Sequence, residues 1–392
     1  MSEKVRVGVI GVGNMGLGHI NNFVKGAMPE IDITCVADID EKKFALAKEK
    51  LPDVVCFPTA EALIDSGLAD AVIIATPHYF HPPIGIYALQ KGVHVMSEKP
   101  AGVYTKQVRE LIDVAEHSDK TYAIMFNQRT NCVYRKIHDL VQSGVYGELR
   151  RVSWIITDWF RTQQYYNSGG WRATWAGEGG GVMLNQCPHQ LDLWQWICGM
   201  PDTVRAFCHE GKWHDIEVED DVTIYVTYPN GATGTFVTST GDTPGTNRLE
   251  ITLDKAKIVC EEDRDTGSSD VWVYELETSI SDYIKSAENG FSRPKGAWKK
   301  METDGKNPQH VGVMNAFAAH ILRGEPLVAE GKEGIRGLTI SNAAFLSSWL
   351  DKTVTIPFDE DLYYELLQKK IRNSTFVKTV NEQVQKDMSS TY

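Results

Sequence analysis

The stretch Val5-Arg-Val-Gly-Val-Ile-Gly11-Val-Gly13-Asn-Met-Gly16 decides how the N-terminal part of this chain folds. An apolar, β-branched run that leads into G-x-G-x-x-G is typical of a buried parallel strand turning into a helix. The backbone N–H groups and the dipole of such a helix hold a pyrophosphate well. Gly13 lets a phosphate approach the backbone, and Gly16 lets helix and strand pack closely. The stretch therefore predicts a dinucleotide site, whose contacts at this turn are Gly11, Gly13, Asn14 and Met15.

A carboxylate follows the second predicted strand. The apolar run 31–37 ends at Asp38, roughly twenty residues beyond the glycines, where an acidic side chain accepts hydrogen bonds from an adenosine 2′-hydroxyl. The alternative is that Asp38 caps a helix beginning near Glu41. No arginine follows Asp38 directly, and Ile39 and Asp40 offer no positive charge to a 2′-phosphate. The sequence thus favours NAD over NADP.

Composition excludes several classes of partner. The 392 residues carry a formal net charge of −12, which argues against nucleic acid and anionic membranes, since both require a basic face. We interpret the basic group at Lys295, Lys299 and Lys300 as a solvated loop. Seven scattered cysteines without a C-x-x-C pair favour buried thiols over disulfides. We expect no leader and no bilayer span, hence a soluble, cytoplasmic protein.

The pattern along the chain predicts two different sheets. Strands and helices alternate to about residue 125, which indicates a doubly wound parallel sheet of Rossmann type. Short alternating strands follow, with a hairpin signal at Asn230-Gly231 and a further pair about Asp254-Lys255. These predict an α+β domain with an open-faced, mainly antiparallel sheet and helices on one face. Its other face must pack on something, so we expect oligomerisation there.

The fold class is therefore α/β, in three parts. We assign residues 1–126 to an NAD-binding Rossmann domain, 127–358 to a substrate-binding and oligomerisation domain, and 359–392 to a C-terminal helix and polar tail. Within the second part, 291–307 is predicted to be a loop. Residues 385–392 are expected to be frayed.

Lys99 is the first residue suited to chemistry. Ser97-Glu98-Lys99-Pro100 directly follows a predicted strand, 93–96, so it lies at the sheet edge where ligands bind in such folds. Pro100 restricts the backbone of Lys99 to extended geometry. A partly desolvated lysine there has a lowered pKa and can act as a base or a hydrogen-bond donor. The alternative is an ordinary solvated lysine.

A second group of polar residues follows Gly179-Gly-Gly181. A helix beginning near 185–187 would project Asn185, His189 and Asp192 from one face, at i, i+4 and i+7. His189 titrates near neutrality and suits acid–base chemistry, and Asp192 could fix its tautomer or cap a neighbouring group. The alternative is a buried helix in which His189 is structural. The spacing permits metal binding, but no third ligand is evident, and we predict no metal.

These motifs carry a resemblance to a known family. The glycine fingerprint with His19, the Thr76-Pro77-x-x-x-His81 loop, Glu98-Lys99-Pro100, and the glycines followed by Asn185-x-x-x-His189 resemble the glucose–fructose oxidoreductase and myo-inositol dehydrogenase (Gfo/Idh/MocA) family. The resemblance covers about residues 4 to 358. It implies a sugar or cyclitol substrate whose C–H hydride moves to or from nicotinamide C4, and a homodimer or homotetramer built on the second sheet.

The resemblance also implies roles for individual residues. Lys99 and His189 would form the catalytic pair. The other implied cofactor contacts are Thr76, Pro77, His81, Glu98, Asn127 and Arg129, whereas Trp171 and Arg172 would reach cofactor or substrate. Many dehydrogenases of this family have Asp where this chain has Asn185. Asparagine can hold a hydroxyl but cannot be a base, so the proton must pass to His189 or Lys99.

The predicted substrate side is aromatic. Rings crowd the stretch 154–175, and sugar C–H faces stack on such rings, although aromatic residues in a large domain are often core. Candidate substrate contacts are Tyr165, Trp171, Arg172, Trp175 and His310. No run of basic residues marks a phosphate pocket, so we expect an uncharged sugar, glycoside or cyclitol.

Three functions fit the sequence. The leading one is an NAD-dependent dehydrogenase acting on CH–OH groups. A redox-neutral enzyme would keep NAD bound and oxidise a glycoside transiently, for example at C3, to allow elimination. A non-catalytic NAD-binding protein is the third, and the presence of both Lys99 and His189 argues against it.

Overall fold

The computed structural model describes residues 4–263 and 266–380, so the predicted fraying of 385–392 lies outside the described residues. Its first sheet has six parallel strands in the order β3-β2-β1-β4-β5-β6. The strands are β1 Val5–Ile10, β2 Ile31–Ala37, β3 Val55–Phe57, β4 Ala71–Ile74, β5 His94–Ser97 and β6 Tyr122–Ile124. Helices α1 Asn14–Val24, α2 Phe44–Lys50, α3 Ala60–Asp65, α4 His81–Gln90 and α5 Thr105–Glu116 alternate with them. The predicted doubly wound sheet is confirmed.

The strand order explains where a ligand can bind. Strands β1 and β4 are neighbours, but the chain leaves them toward opposite sides of the sheet. The loops that follow their carboxyl ends therefore diverge and leave a crevice, which is where open α/β sheets bind ligands. Helices cover both faces of this sheet, and β4 is buried at every position, as the continuous apolar run 71–74 requires.

The second sheet has nine strands in the order β14-β13-β12-β11-β7-β10-β9-β8-β15. They are β7 Leu149–Ile156, β8 Thr203–Glu210, β9 Glu219–Thr227, β10 Thr233–Ser239, β11 Asn247–Leu253, β12 Ala256–Glu262, β13 Ser269–Leu276, β14 Gly296–Met301 and β15 Val354–Thr355. The hairpins predicted at Asn230-Gly231 and at Asp254-Lys255 are the β9–β10 and β11–β12 connections. Strands β7 and β10 pair in parallel, and the other pairs are antiparallel.

One prediction for this sheet is wrong. The segment 291–307, expected to be a loop, contains edge strand β14, which pairs with β13. Its basic residues are part of that edge, because Lys300 pairs with Asp270 at 2.7 Å and Lys299 pairs with Glu275. An edge strand exposed along most of its length carries little alternation of apolar and polar residues.

The remaining helices cover one face of the second sheet or close the first. They are α6 Cys132–Gln142, α7 Gln163–Asn167, α8 Val182–Asn185, α9 Pro188–Cys198, α10 Ile280–Ser286, α11 Gln309–Arg323, α12 Gly334–Leu350 and α13 Glu360–Asn373. Trp154, Trp194 and Phe236 form a fully buried aromatic centre between the sheet and α9. The opposite face exposes several large side chains, namely Ile155, Phe207, Tyr225 and Trp272. Oligomerisation through that face stays a prediction.

The helix predicted to begin near 185–187 is interrupted. α8 ends at Asn185, and α9 begins at Pro188, which suits a first turn because it has no N–H to donate. Asn185 and His189 therefore lie on two different helical segments and not on one continuous face.

Helix α11 belongs to the core of the first sheet. Its Val313, Met314 and Phe317 are buried together with Val7 of β1 and Met96 of β5. A segment about 180 residues downstream of β6 thus completes the N-terminal core. The proposed domain boundaries stay predictions. No helix within 4–263 and 266–380 is long and apolar enough to cross a membrane.

Candidate active site

Asp38 is held at the end of β2 beside the glycine turn. Its Oδ2 accepts the backbone N–H of Val12 at 2.8 Å, and its Oδ1 accepts that of Asp40 at 2.9 Å. Asp40, not Asp38, caps the short helical turn Glu41–Lys43 by accepting from Lys42 N–H. The ammonium of Lys43 lies 3.3 Å from Asp38. The alternative role considered for Asp38, a helix cap, is therefore taken by its neighbour.

The crevice beside this turn fits a dinucleotide. A Cβ at Gly13 would meet no atom within 4 Å, so space is open where a pyrophosphate would approach, and no side chain caps the first turn of α1. Within the described residues, four buried side chains around the crevice keep polar atoms without a hydrogen-bond partner. These atoms are His19 Nδ1, Thr76 Oγ1, Asn127 Oδ1 and both ring nitrogens of His189. Orphaned buried polar atoms are rare in proteins and fit an incoming polar group.

Glu98 is a buried carboxylate at the end of β5. It is 3% exposed, and its Oε1 lies 2.8 Å from His19 Nε2. Burial alone would raise the pKa of Glu98, but the hydrogen bond and the charge of His19 lower it to about 2. His310 of α11 packs edge-on against His19, with ring centroids 5.7 Å apart. Burial lowers the pKa of His310 to about 4, so its imidazole is neutral at physiological pH.

Lys99, which follows β5, and His189 of α9 lie close enough for the charge of the lysine to act on the imidazole. The Lys99 ammonium donates to the backbone carbonyl of Asn185 at 3.0 Å. Burial lowers the pKa of Lys99. Burial, and then the positive charge of Lys99, hold the pKa of His189 well below its usual range. His189 is therefore a neutral imidazole beside a desolvated amine, which is a pair suited to accept or return a proton.

Of the two roles predicted for Asp192, the structure shows a contact with a neighbouring group and no hydrogen bond to His189. The carboxylate of Asp192 accepts hydrogen bonds from Nε and Nη2 of Arg129 at 2.8 and 2.7 Å. Arg129 Nη1 donates to Glu333 at 2.8 Å. Both side chains of the Arg129–Asp192 pair are at most 2% exposed. The cofactor contact predicted for Arg129 stays a prediction, but its guanidinium already ties the segment after β6 to α9 and to the start of α12.

Asn185 joins a network that the sequence did not show. Its amide nitrogen donates to Glu178 Oε1 at 2.5 Å and to the Tyr165 hydroxyl at 3.0 Å. Glu178 is buried, which raises its pKa, and its other oxygen accepts Ala173 N–H at 2.6 Å. A carboxyl group thus lies directly beside Asn185. Glu178 was missed because only its place in the fold, and no motif, distinguishes it.

The other residues predicted for the site lie either in contacts near the crevice or in the hydrophobic core. The rings of His78 and Trp171 meet at 5.2 Å, and Arg172 donates to Tyr165 at 2.9 Å, so these residues lie between the two sheets. His81 holds the Thr76-Pro77 loop through contacts with the carbonyls of Thr76 and Pro100. Trp175 is 2% exposed against Phe345 and Trp349. The structure therefore gives Trp175 a packing role instead of the predicted substrate contact.

Fold and site together define a protein with a dinucleotide crevice closed by a second, sheet-based unit. Residues 5–126 match the model of an oxidoreductase family with an NAD-binding Rossmann fold, and residues 134–259 match the GFO/IDH/MocA C-terminal domain. The chain belongs to the GFO/IDH/MocA oxidoreductase family. The resemblance inferred from the motifs is confirmed.

Individual relatives are more distant. The chain is similar to an inositol 2-dehydrogenase of Corynebacterium glutamicum, 34% identical over 51% of this chain and 56% of that protein. It is similar to a glycosyl hydrolase family 109 protein of Shewanella pealeana, 28% identical over 44% and 40%. The chain spans about half the length of the curated relatives that it matches.

A solved structure shows the same fold. The WlbA dehydrogenase of Bordetella pertussis, in complex with NADH and UDP-GlcNAcA, superposes with a TM-score of 0.75 at 22% identity. The match covers 92% of this chain and 99% of that one, so both sheets take part in the likeness.

Proposed function

We propose that this protein is an NAD-dependent dehydrogenase that acts on a CH–OH group of a sugar, glycoside or cyclitol. The observation that carries the proposal is the meeting of Lys99 and His189 at the carboxyl edge of the Rossmann sheet. Lys99 follows β5 of the first sheet, His189 lies on helix α9, and the imidazole has both ring nitrogens available among the described residues.

The chemistry divides between cofactor and protein. NAD, held by the glycine turn and Asp38, supplies a hydride acceptor at nicotinamide C4. His189 or Lys99 would take the proton of the substrate hydroxyl, and the hydride of the hydroxyl-bearing carbon would pass to the nicotinamide. A carbonyl would form, and the cofactor would carry both electrons of the C–H bond. Glu98 keeps a negative charge in the site, which favours the protonated form of Lys99 after transfer.

The test is NAD reduction by the purified protein against inositols, aldoses and glycosides. His189→Asn and Lys99→Met are expected to lower kcat by about 10²-fold or more, the usual contribution of a positioned acid–base group. The matched controls His117→Asn and Lys48→Met change exposed residues and are expected to retain activity. Full activity in both site variants would refute the assignment.

A redox-neutral reaction is the second candidate, and likeness to a glycosyl hydrolase family 109 protein favours it. Such an enzyme would carry NAD through purification and turn over a glycoside without added cofactor. Net NADH formation from free sugars would exclude it.

We also propose a cytoplasmic homo-oligomer. All seven cysteines are unpaired, as expected for a reducing compartment, and the exposed face of the second sheet is the surface for self-association. We further propose that the chain divides at 126/127 and 358/359 into an NAD-binding part, a substrate-binding and oligomerisation part, and a C-terminal helix and tail.

A further inference from the structure

Two cations meet beside the candidate substrate site, one of them from the C-terminal tail. After α13 the chain runs back over the second sheet, where Ser374 donates to Glu217 and the Lys378 ammonium donates to the backbone carbonyl of Tyr166. The adjacent residue, Tyr165, carries the Arg172 guanidinium, 4.7 Å from its ring centroid and 2.9 Å from its hydroxyl. Arg172 and Lys378 therefore lie on the same side of the site.

Within residues 4–263 and 266–380, the carboxylate that faces both cations is that of Glu178, so the pair keeps an excess positive charge. Burial lowers the pKa of Lys378, Glu178 opposes this effect, and the charge of Arg172 adds to it. Glu178 Oε1 lies 3.8 Å from Arg172 Nη1, and the two Glu178 oxygens also accept hydrogen bonds from Asn185 and Ala173. One carboxylate therefore faces two cations, and burial, which raises the pKa of Glu178, weakens that compensation.

A neutral sugar would leave this arrangement costly. Placing two like charges together in a partly buried site is unfavourable unless an anion compensates for them. The side chain of Arg172 is 18% exposed, and its Nη1 is the nitrogen that contacts both Tyr165 and Glu178. A guanidinium fork and an ammonium together match a carboxylate or phosphate oxygen pair.

We propose that the substrate is an anionic sugar derivative, whose carboxylate or phosphate is bound by Arg172 and Lys378. This proposal rests on the proposed function, because it names the substrate class of the same site. It replaces the uncharged substrate expected from the sequence, where the two residues are too far apart to form a visible cluster. The C-terminal segment 374–380 is thus part of the binding site.

The test compares matched sugars on matched variants. Two quantities are measured with glucuronate, glucose 6-phosphate and glucose. They are the steady-state rate of NAD reduction and the affinity of the protein for each sugar in the presence of NADH. We expect an anionic sugar to bind more tightly than glucose, and the preferred anion separates carboxylate from phosphate recognition. Lys378→Met is expected to raise KM or Kd for that anion by about tenfold or more, since a charge-assisted hydrogen bond is lost. Lys378→Arg is expected to retain affinity, and Lys369→Met, an exposed lysine of α13, is the control.

The outcomes are distinguishable. Equal affinity of Lys378→Met and Lys369→Met for every anionic sugar, or no preference of the native protein for an anion over glucose, overturns the anion site. In either case NAD reduction with glucose would leave the dehydrogenase proposal standing. Lys378-dependent binding of an anion without any NAD reduction supports the anion site and refutes the dehydrogenase proposal.

Discussion

Replacing Asp192 by asparagine tests whether this residue orients His189 or holds Arg129. The ion pair is almost fully buried, with side chains 1% and 2% exposed, and it has two contacts of 2.7 and 2.8 Å. Removing one partner of a buried pair costs about 3–5 kcal/mol because the other charge is left uncompensated. Glu333, itself 19% exposed, still contacts Arg129, so we expect the lower end, about 3 kcal/mol. With an unfolding entropy of about 2 cal/mol/K per residue, that corresponds to a melting temperature lowered by roughly 4 °C for a chain of 392 residues.

The assay is thermal unfolding together with the pH profile of kcat/KM. Asp139→Asn is the matched control, because its side chain is 76% exposed on α6, and it is expected to unfold like the native protein. The double variant Arg129→Met/Asp192→Leu is expected to regain much of the lost stability, since it removes both charges. A normal melting temperature for Asp192→Asn combined with a shifted pH profile would refute the argument and assign Asp192 to His189.

Three further predictions concern the cofactor site and acid stability. Gly13→Ala is expected to fold normally but to bind NAD at least tenfold more weakly. Gly16→Ala would place a Cβ 1.9 Å from a backbone oxygen and is expected to fail to fold. Circular dichroism measures folding and NADH fluorescence measures cofactor binding, so the two variants can be distinguished. Asp38→Ser is expected to reduce the preference for NAD over NADP in kcat/KM, and an unchanged ratio would show that Asp38 does not contact the ribose. Because His310 has a folded pKa of about 4 instead of 6.5, the unfolded state binds more protons between these values, so stability is lost as pH falls from 6.5 through 4. The free energy of unfolding, measured by urea titration, is expected to fall by about 3 kcal/mol less between pH 7 and pH 4 in His310→Gln than in the native protein. An equal fall in both proteins would contradict the low pKa of His310.

The Rossmann half was predictable because its signals are local. The glycine turn, the strand before it and the carboxylate at position 38 are each specified by neighbouring residues, and the helix Thr105–Glu116 follows directly from its periodicity. Strand β14 was missed for the converse reason. Most of its residues face solvent at a sheet edge, so burial left no alternation to detect.

The candidate site was predictable in its residues but not in its partnerships. The sequence indicates Lys99 by its position after a predicted strand, and it indicates His189 by its position after a run of glycines. No spacing rule could pair Asp192 with Arg129, or Asn185 with Glu178 and Tyr165, because these contacts join separate elements. Lys378 is the clearest case, since its contact with the site depends on the path of the chain after α13.

Helix α11 has a consequence for how this protein forms during synthesis. Val7 of β1 and Met96 of β5 belong to a buried cluster that Val313, Met314 and Phe317 complete. That part of the core is therefore incomplete until α11 has left the ribosome. A fragment ending at residue 126 would expose an apolar face and is prone to aggregate, so the two halves are separable in function but not in biogenesis.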